Sequence, residues 1–341
     1  MTHSAIMLAD SINKQGKRMR TFQVRYPLNV HAEELTHRII STSPQLMIYV
    51  PDGVMYDADL SRNASSSRAI PTARLIEDLI KDPVMPIYWG ANQKGMQASE
   101  ECDTLVDIGP MMGLKHPHMV KREIAWVYGM LTMTKLAEAF ANAGYHKQLV
   151  NRLLKPWQHI NVVISGTEFE NFYALRRHAD ADPEIQALAE AMWQAEQAST
   201  PKLMEPGTWH LPYVTDDDID SAIKLTQVGR VTRDMPDWDR EVLPILIKVS
   251  VARCARVSYK THDGRDTTVE EDAALYDRLI DRIPLHASPA EHQATPDRVV
   301  EGHLGPYGEW KPTRWMMPHQ HGNLKGWCQY RKMLPNECVF G

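Results

Sequence analysis

The sequence predicts a soluble protein of mixed α/β class, and three observations carry that expectation. Apolar residues recur at helical spacing in well-separated windows, residues 71–81, 120–143 and 183–198. Short runs rich in β-branched residues lie among them: 21–24 and 46–55 read as strands, and 161–165 as a buried strand or a helix turn. Of the 341 residues, 43 % are hydrophobic and 24 % charged, the balance of an ordinary globular chain with room for a large core.

Taken in order, residues 21–24 form a strand ended by Tyr26-Pro27, and residues 30–40 have helical spacing with Leu35 and Ile39 on one side. Met47-Ile48-Tyr49-Val50 before Pro51-Asp52-Gly53 suggests a strand and then a turn. In residues 71–81, Leu75, Ile76, Leu79 and Ile80 share a face, and Asp82-Pro83 stops the helix. Residues 88–98 are polar, aromatic and glycine-punctuated, hence a loop. The longest helix is expected at 120–143, its apolar positions being Ile124, Val127, Leu131, Leu136 and Phe140, with Gly144 as C-terminal cap.

A second helical piece follows at 145–156, the buried strand or helix turn at 161–165, and a helix at 168–178 whose polar side shows Asn171, Arg176 and Arg177. Pro183 opens the next helix, as first helical turns favour. Residues 201–240 read as an irregular linker, with several prolines and the run Asp216-Asp217-Asp218. Residues 243–259 are expected to begin as a strand. Thr268 and Glu271 form a capping-box pattern ahead of a helix at 269–283. The tail, with Trp310, Trp315 and Trp327, reads as loops plus a short helix near 326–332.

Composition narrows the function classes. Lys and Arg number 38 against 43 Asp and Glu, and the net charge of -5 argues against broad non-specific nucleic-acid binding. No apolar run approaches the length of a membrane span, and no apolar core follows the basic N-terminus as a signal peptide requires, so a cytoplasmic location is expected. Cys102, Cys254, Cys328 and Cys338 are far apart and are expected to be free thiols. His116-x-His118 and His319-x-His321 lack a partnered Cys or carboxylate at ligand spacing, so no metal is expected. A glycine-rich dinucleotide fingerprint is absent.

The most chemical stretch is Ser61-Arg62-Asn63-Ala64-Ser65-Ser66-Ser67-Arg68-Ala69, hydroxyls flanked by guanidinium groups. It reads either as a solvated serine-rich loop or as a phosphate cradle, because hydroxyls and Arg forks both donate to phosphate oxygens. With residues 39–60 looped out except for two positions, Thr36-His37-Arg38 joins this stretch. Together they resemble the signature Arg-His-Arg-x-x-Ser-x-Asn-Glu-x-Ser-x-Arg-Tyr of the flavin-dependent thymidylate synthases. Thr36, Ala64 and Ala69 depart from its Arg, Glu and Tyr.

Two further blocks resemble the same family. Arg152 to Pro156, then Asn171, Arg176 and Glu184-Ile185, is similar to its carboxyl-terminal block. Ala255-Arg256-Val257-Ser258 and His286-Ala287-Ser288-Pro289-Ala290-Glu291-His292 are similar to its amino-terminal block, with Ala290 for Phe. The blocks stand in cyclically permuted order. Permutation is tolerated when the original termini lie close together. Residues 1–200 would hold the family's middle and carboxyl-terminal blocks, 201–240 the linker, and 241–341 the amino-terminal block plus tail, the two ends forming one composite domain.

The resemblance implies an α+β fold with a twisted, mostly antiparallel sheet and flanking helices. It implies FAD as cofactor, methylenetetrahydrofolate and NADPH as co-substrates, dUMP or a related pyrimidine deoxynucleotide as substrate, and a homotetramer. Nucleotide binding would fall to Glu33, Ser66, Ser67, Arg68, Arg152 and Arg176, and flavin contacts to His37, Arg38, Asn171 and Ser288. His286 would lie near the flavin ring, and Arg176 would stabilise negative charge on the pyrimidine as carbon 5 becomes nucleophilic. No enzyme nucleophile is required. The lost Glu and Arg leave open a dCMP substrate, a 5-hydroxymethyl product or a non-catalytic nucleotide- or flavin-binding protein.

Overall fold

The computed structural model describes residues 3–31, 49–50, 53–54, 61–64, 70–95, 98–226, 238–257, 265–280, 282, 285–304, 310–335 and 337. Strand β1 (Ser4–Asn13) and strand β2 (Arg18–Pro27) make an antiparallel hairpin. Its turn is closed by Asn13, whose Oδ1 accepts from the N–H of Gln15 and of Lys17, while Gly16 takes φ +75°. The expected strand at 21–24 is thus the middle of a longer one. β1 was invisible to periodicity because a register shift between Met7 and Ala9 breaks its alternation.

Two short strands, β3 (Tyr49–Val50) and β4 (Gly53–Val54), pair antiparallel where a strand is expected, the expected turn residues Pro51 and Asp52 lying outside the described residues, and β5 (Ser61–Ala64) places the front of the serine-rich stretch in a strand. The helix expected at 30–40 lies outside the described residues except for its first two positions, of which Val30 ends a 3-10 turn. Helix α1 (Thr72–Lys81) buries Leu75, Ile76 and Leu79 and leaves Ile80 exposed. Strands β6 (Val106–Asp107) and β7 (Met119–Val120) pair before helix α2 (Arg122–Asn142), which ends at Gly144 in the left-handed region as expected.

The face of α2 differs from expectation. Ile124, Leu131 and Leu136 are exposed, and the buried positions are Met130, Thr134 and Ala137. Those three follow an i, i+4, i+7 pattern, whereas spacings of five carry a residue off the stripe. Helix α3 (Lys147–Val150) and the 3-10 turn Asn151–Trp157 replace the single piece expected at 145–156. Strand β8 (His159–Gly166), helix α4 (Glu170–Arg176) and helix α5 (Pro183–Gln197) then appear where the sequence put them, α5 capped by Asp182 accepting from the N–H of Glu184 and Ile185.

Three expectations downstream are corrected. The stretch read as an irregular linker contains β9 (Lys202–Met204) and helix α6 (Asp216–Leu225), in which the acidic run fills the first turn and Thr215 and Asp218 form a capping box. Residues 243–256 are helix α7 (Leu243–Arg256), not a strand: it is buried on nearly every side, so its β-branched run carries no helical stripe to read. Helix α8 (Val269–Ile280) has the expected Thr268–Glu271 capping box. The tail holds β10 (Ala294–Pro296), the hairpin β11 (Val299–Leu304) with β12 (Trp310–Trp315), and β13 (Trp327–Gln329) followed by a 3-10 turn.

Five strands form the main sheet, in the order β5-β8-β2-β1-β9, antiparallel throughout except for β1 against β9. The class is therefore α+β with a mostly antiparallel sheet. One face packs Phe22, Val24, Tyr26, Val162 and Ile164 against Phe172 and Tyr173 of α4 and Ile185, Leu188 and Met192 of α5. On the opposite face Val163 meets Tyr213, Cys254 and Val257. β8 is thus covered on both faces, as its unbroken Val-Val-Ile run requires. A second core joins α1, α2, α3 and the turn 151–157 through Leu75, Met130, Ala137, Leu154 and Trp157. The two ends of the chain touch: Asn13 Nδ2 donates to Gly326 O (3.1 Å) and Trp327 Nε1 to Lys17 O (3.2 Å). No helix among the described residues is long and apolar enough to cross a membrane.

Helices α6, α7 and α8 are locked by a buried ion cluster. Arg253 donates to both oxygens of Asp218 (2.7 Å each), to Asp272 (2.7 Å) and to Tyr213 O (2.7 Å), while Arg256 and Thr267 also reach Asp272. Removing one member strands buried carboxylates. Arg253→Ala is therefore expected to lower the unfolding free energy by about 3–5 kcal/mol, measured by urea denaturation.

Candidate functional site

The elements that carry the family-like blocks meet around β8. β5 pairs with its outer edge, with Ser61 opposite Ser165 and Ala64 opposite Val162. The 3-10 turn Ser288–Glu291 packs against both β5 and α7. Two blocks far apart in the chain, Ser61–Ala64 and Ser288–Glu291, are thereby adjacent. α4 follows directly from the end of β8, so Asn171 and Arg176 are positioned by the same strand.

Ser288 and Asn171 are half-buried, each already engaged with another group of the chain, and Arg176 is half-buried at the end of α4. His286 is exposed, its N–H donating to Leu279 O (3.2 Å). Arg152 is exposed on the turn that caps the second core, whereas Arg176 stands on the helical layer over the sheet. Arg177, beside it, is committed to structure: Nε donates to Glu190 (2.7 Å) and the guanidinium lies 3.9 Å from the Trp193 ring centre. Glu33, His37, Arg38, Ser66, Ser67 and Arg68 lie outside the described residues.

Behind β5 and β8 runs a chain of buried polar groups that sequence reasoning did not find. His292 Nδ1 and Ser165 Oγ are 2.9 Å apart, Ser165 Oγ and Thr21 Oγ1 2.6 Å, Thr21 Oγ1 and His210 Nε2 2.8 Å, and His210 Nδ1 and Ser11 Oγ 2.8 Å. These five side chains come from β1, β2, β8, the segment before α6 and the end of the Ser288 turn. Burial holds both imidazoles neutral: desolvation pushes His210 down to about 3, and desolvation plus the neighbouring His210 pushes His292 to about 3. The far nitrogen of His292, Nε2, is buried without a hydrogen-bond partner. No spacing in the sequence links these residues; only the sheet register does.

Backbone strain sits in the same layer. Tyr213 and Val257 take φ +66° and +58°, which β-branched and bulky side chains rarely adopt. They stabilise one another, since Tyr213 Oη donates to Val257 O (3.1 Å) and to Gln23 Oε1 (2.8 Å). Val257 belongs to the Ala-Arg-Val-Ser block, so that block's sequence encodes a helix end held in an unusual conformation.

Among the described residues, Cys102, Cys254 and Cys328 form no disulfide, and Cys338 lies outside them. Desolvation pushes the Cys254 thiol well up and the Cys328 thiol up to about 12, so neither is poised as a nucleophile. Cys102 is held below its ordinary value by hydrogen bonds with Thr104. Iodoacetamide at pH 8 is expected to modify Cys102 before Cys254 and Cys328, read by peptide mass spectrometry.

Histidines held below the ordinary 6.5 let the unfolded state take up more protons as pH falls, so stability is full above 6.5 and declines on acidification. For His210 and His292 that window runs from 6.5 down to about 3. Each is expected to remove about 2 kcal/mol of stability between pH 7 and pH 5, and His292→Asn to flatten the dependence by about that amount in urea titrations. No protein-family model matches the chain, and no curated protein matches it either.

Proposed function

We propose that the protein is a flavin-dependent enzyme that places a one-carbon unit on carbon 5 of a pyrimidine deoxynucleotide, in the manner of the flavin-dependent thymidylate synthases. The observation that supports this most is the adjacency of Ser61–Ala64 and Ser288–Glu291, two blocks of the family-like pattern brought side by side, the first paired with β8 and the second packed on the first. The end-to-end contacts of Asn13 and Lys17 with Gly326 and Trp327 support the permuted order.

In this reading Arg176 faces the pyrimidine and stabilises the charge that develops as carbon 5 attacks. Arg152 and Arg68 hold the phosphate, with Ser66 and with Ser67 through its backbone N–H, and Glu33 contacts the nucleotide. A flavin would supply reducing equivalents. Asn171 and Ser288 offer the half-buried amide and hydroxyl that suit its polar edge, with His37 and Arg38 as further ligands and His286 near the ring. The raised thiols of Cys254 and Cys328 agree with a reaction that needs no cysteine nucleophile. Subunits would assemble as a homotetramer that brings Arg152 of one layer to the Arg176 layer of another.

Ala64, at the end of β5, stands where the family has a carboxylate, which favours testing dCMP beside dUMP. Purified protein is expected to show bound-flavin absorbance and to release tritium from 5-tritiated dUMP or dCMP with methylenetetrahydrofolate and NADPH. Arg176→Ala is expected to lower turnover by at least ~100-fold while flavin absorbance survives. Undiminished turnover in that variant would remove the assignment.

A further inference from the structure

His319-x-His321 has no Cys or carboxylate at a zinc-motif spacing, yet folding brings His321 beside two other ligating side chains. Asp297 follows β10, His321 follows the 3-10 turn Pro318–Gln320, and Cys328 lies in β13. All three are buried, and one ligating atom from each lies within 4.8 Å of the other two. We infer that Asp297, His321 and Cys328 form a binding site for a borderline divalent transition-metal ion of the zinc class. This does not rest on the flavin reading.

The framework is rigid. β10 and β13 pair with Thr295 opposite Cys328 and Pro296 opposite Trp327, and the Asp297 N–H donates to Gly326 O (3.0 Å). The Asp297 carboxylate is oriented by two backbone donors, Arg298 N on Oδ1 (2.7 Å) and Met317 N on Oδ2 (2.9 Å). Such outer donors fix a ligating carboxylate. The Trp315 ring stands edge-on to the His321 ring, with centres 5.4 Å apart.

Charge balance favours a dication. A thiolate and a carboxylate together neutralise two positive charges, so the filled site leaves no net charge in a buried place. The donor set of one sulfur, one nitrogen and one oxygen selects the zinc class over magnesium and calcium, which take oxygen ligands. Ligands ~2.0–2.3 Å from a tetrahedral ion stand roughly 3.3–3.8 Å from one another, inside the 4.8 Å that bounds these three atoms, and water takes the fourth position.

The proton balance is explicit. In the ion-free form His321 Nε2–H donates to Asp297 Oδ2 (2.8 Å), and Gly326 N–H donates to Nδ1 (3.3 Å), the longest bond of the cluster. Uptake moves the imidazole proton from Nε2 to Nδ1, gives up the Gly326 bond, and sends the Cys328 thiol proton to solvent. One proton leaves per ion bound.

Cobalt(II) titrated into the chelator-treated full-length protein tests this. The expected result is saturation at one ion per chain. A thiolate-to-cobalt charge-transfer band should grow in with it, one proton should be released per ion, and zinc should displace the band. Cys328→Ser should abolish the band, His321→Gln should weaken binding at least tenfold, and Cys102→Ser should leave both unchanged. Absence of a saturable band in the unsubstituted protein overturns the proposal without need of a variant. So does binding without proton release, or a band that survives in Cys328→Ser or is lost in Cys102→Ser.

Discussion

The hydroxyl and imidazole groups strung from Ser11 through His210, Thr21 and Ser165 to His292 hold the assembly of this fold together. They tie three strands of the main sheet to two segments from the second half of the chain, in a layer with no access to water. Each bond contributes on the order of 1 kcal/mol net, but a missing partner leaves a buried polar atom at a cost of about 1–3 kcal/mol. The register of β2 on β8, which sets Thr21 opposite Ser165, is specified by that cost as well as by the apolar packing of Phe22 and Ile164. A slip by one residue would place hydroxyls in the α4–α5 core and valines against imidazoles.

The same layer explains how much of the architecture could be read in advance. Helices with a clean stripe or a cap, such as α1, α5 and α8, were legible, and so was β8, whose apolar run announces burial on both faces. α7 was misread because a helix buried on almost all sides displays no periodicity, and Ile245, Ile247, Val249 and Val251 then argue for strand. α6 carried its own start signal in Thr215 and Asp218, overridden in the reading by prolines and acidic charge. β1 was concealed by its bulge, and β9 by having only three residues.

For the site, sequence reasoning reached residues whose chemistry is visible one at a time, an arginine at the end of a helix or a serine before a proline. It could not reach residues whose meaning is collective. His210 is an isolated histidine among prolines, and Cys328 a lone thiol in a tryptophan-rich tail. Their roles exist only through the pairing of Ala294 with His210 and of Thr295 with Cys328. Tyr213 and Val257 belong to the same category, since neither residue type favours the left-handed backbone it adopts and the tertiary contacts of each decide it.

The contacts of Asn13 and Lys17 with Gly326 and Trp327 also set a timetable. On the ribosome, the first hairpin emerges long before the residues that seal it. At ~5–20 residues per second the interval is roughly 15–60 s. Throughout that wait β1 offers an unsealed turn, and until β9 is made an open edge as well. A nascent chain built this way keeps that surface exposed for most of its synthesis, and joining the two touching ends while opening the chain at another surface loop would shorten the exposure.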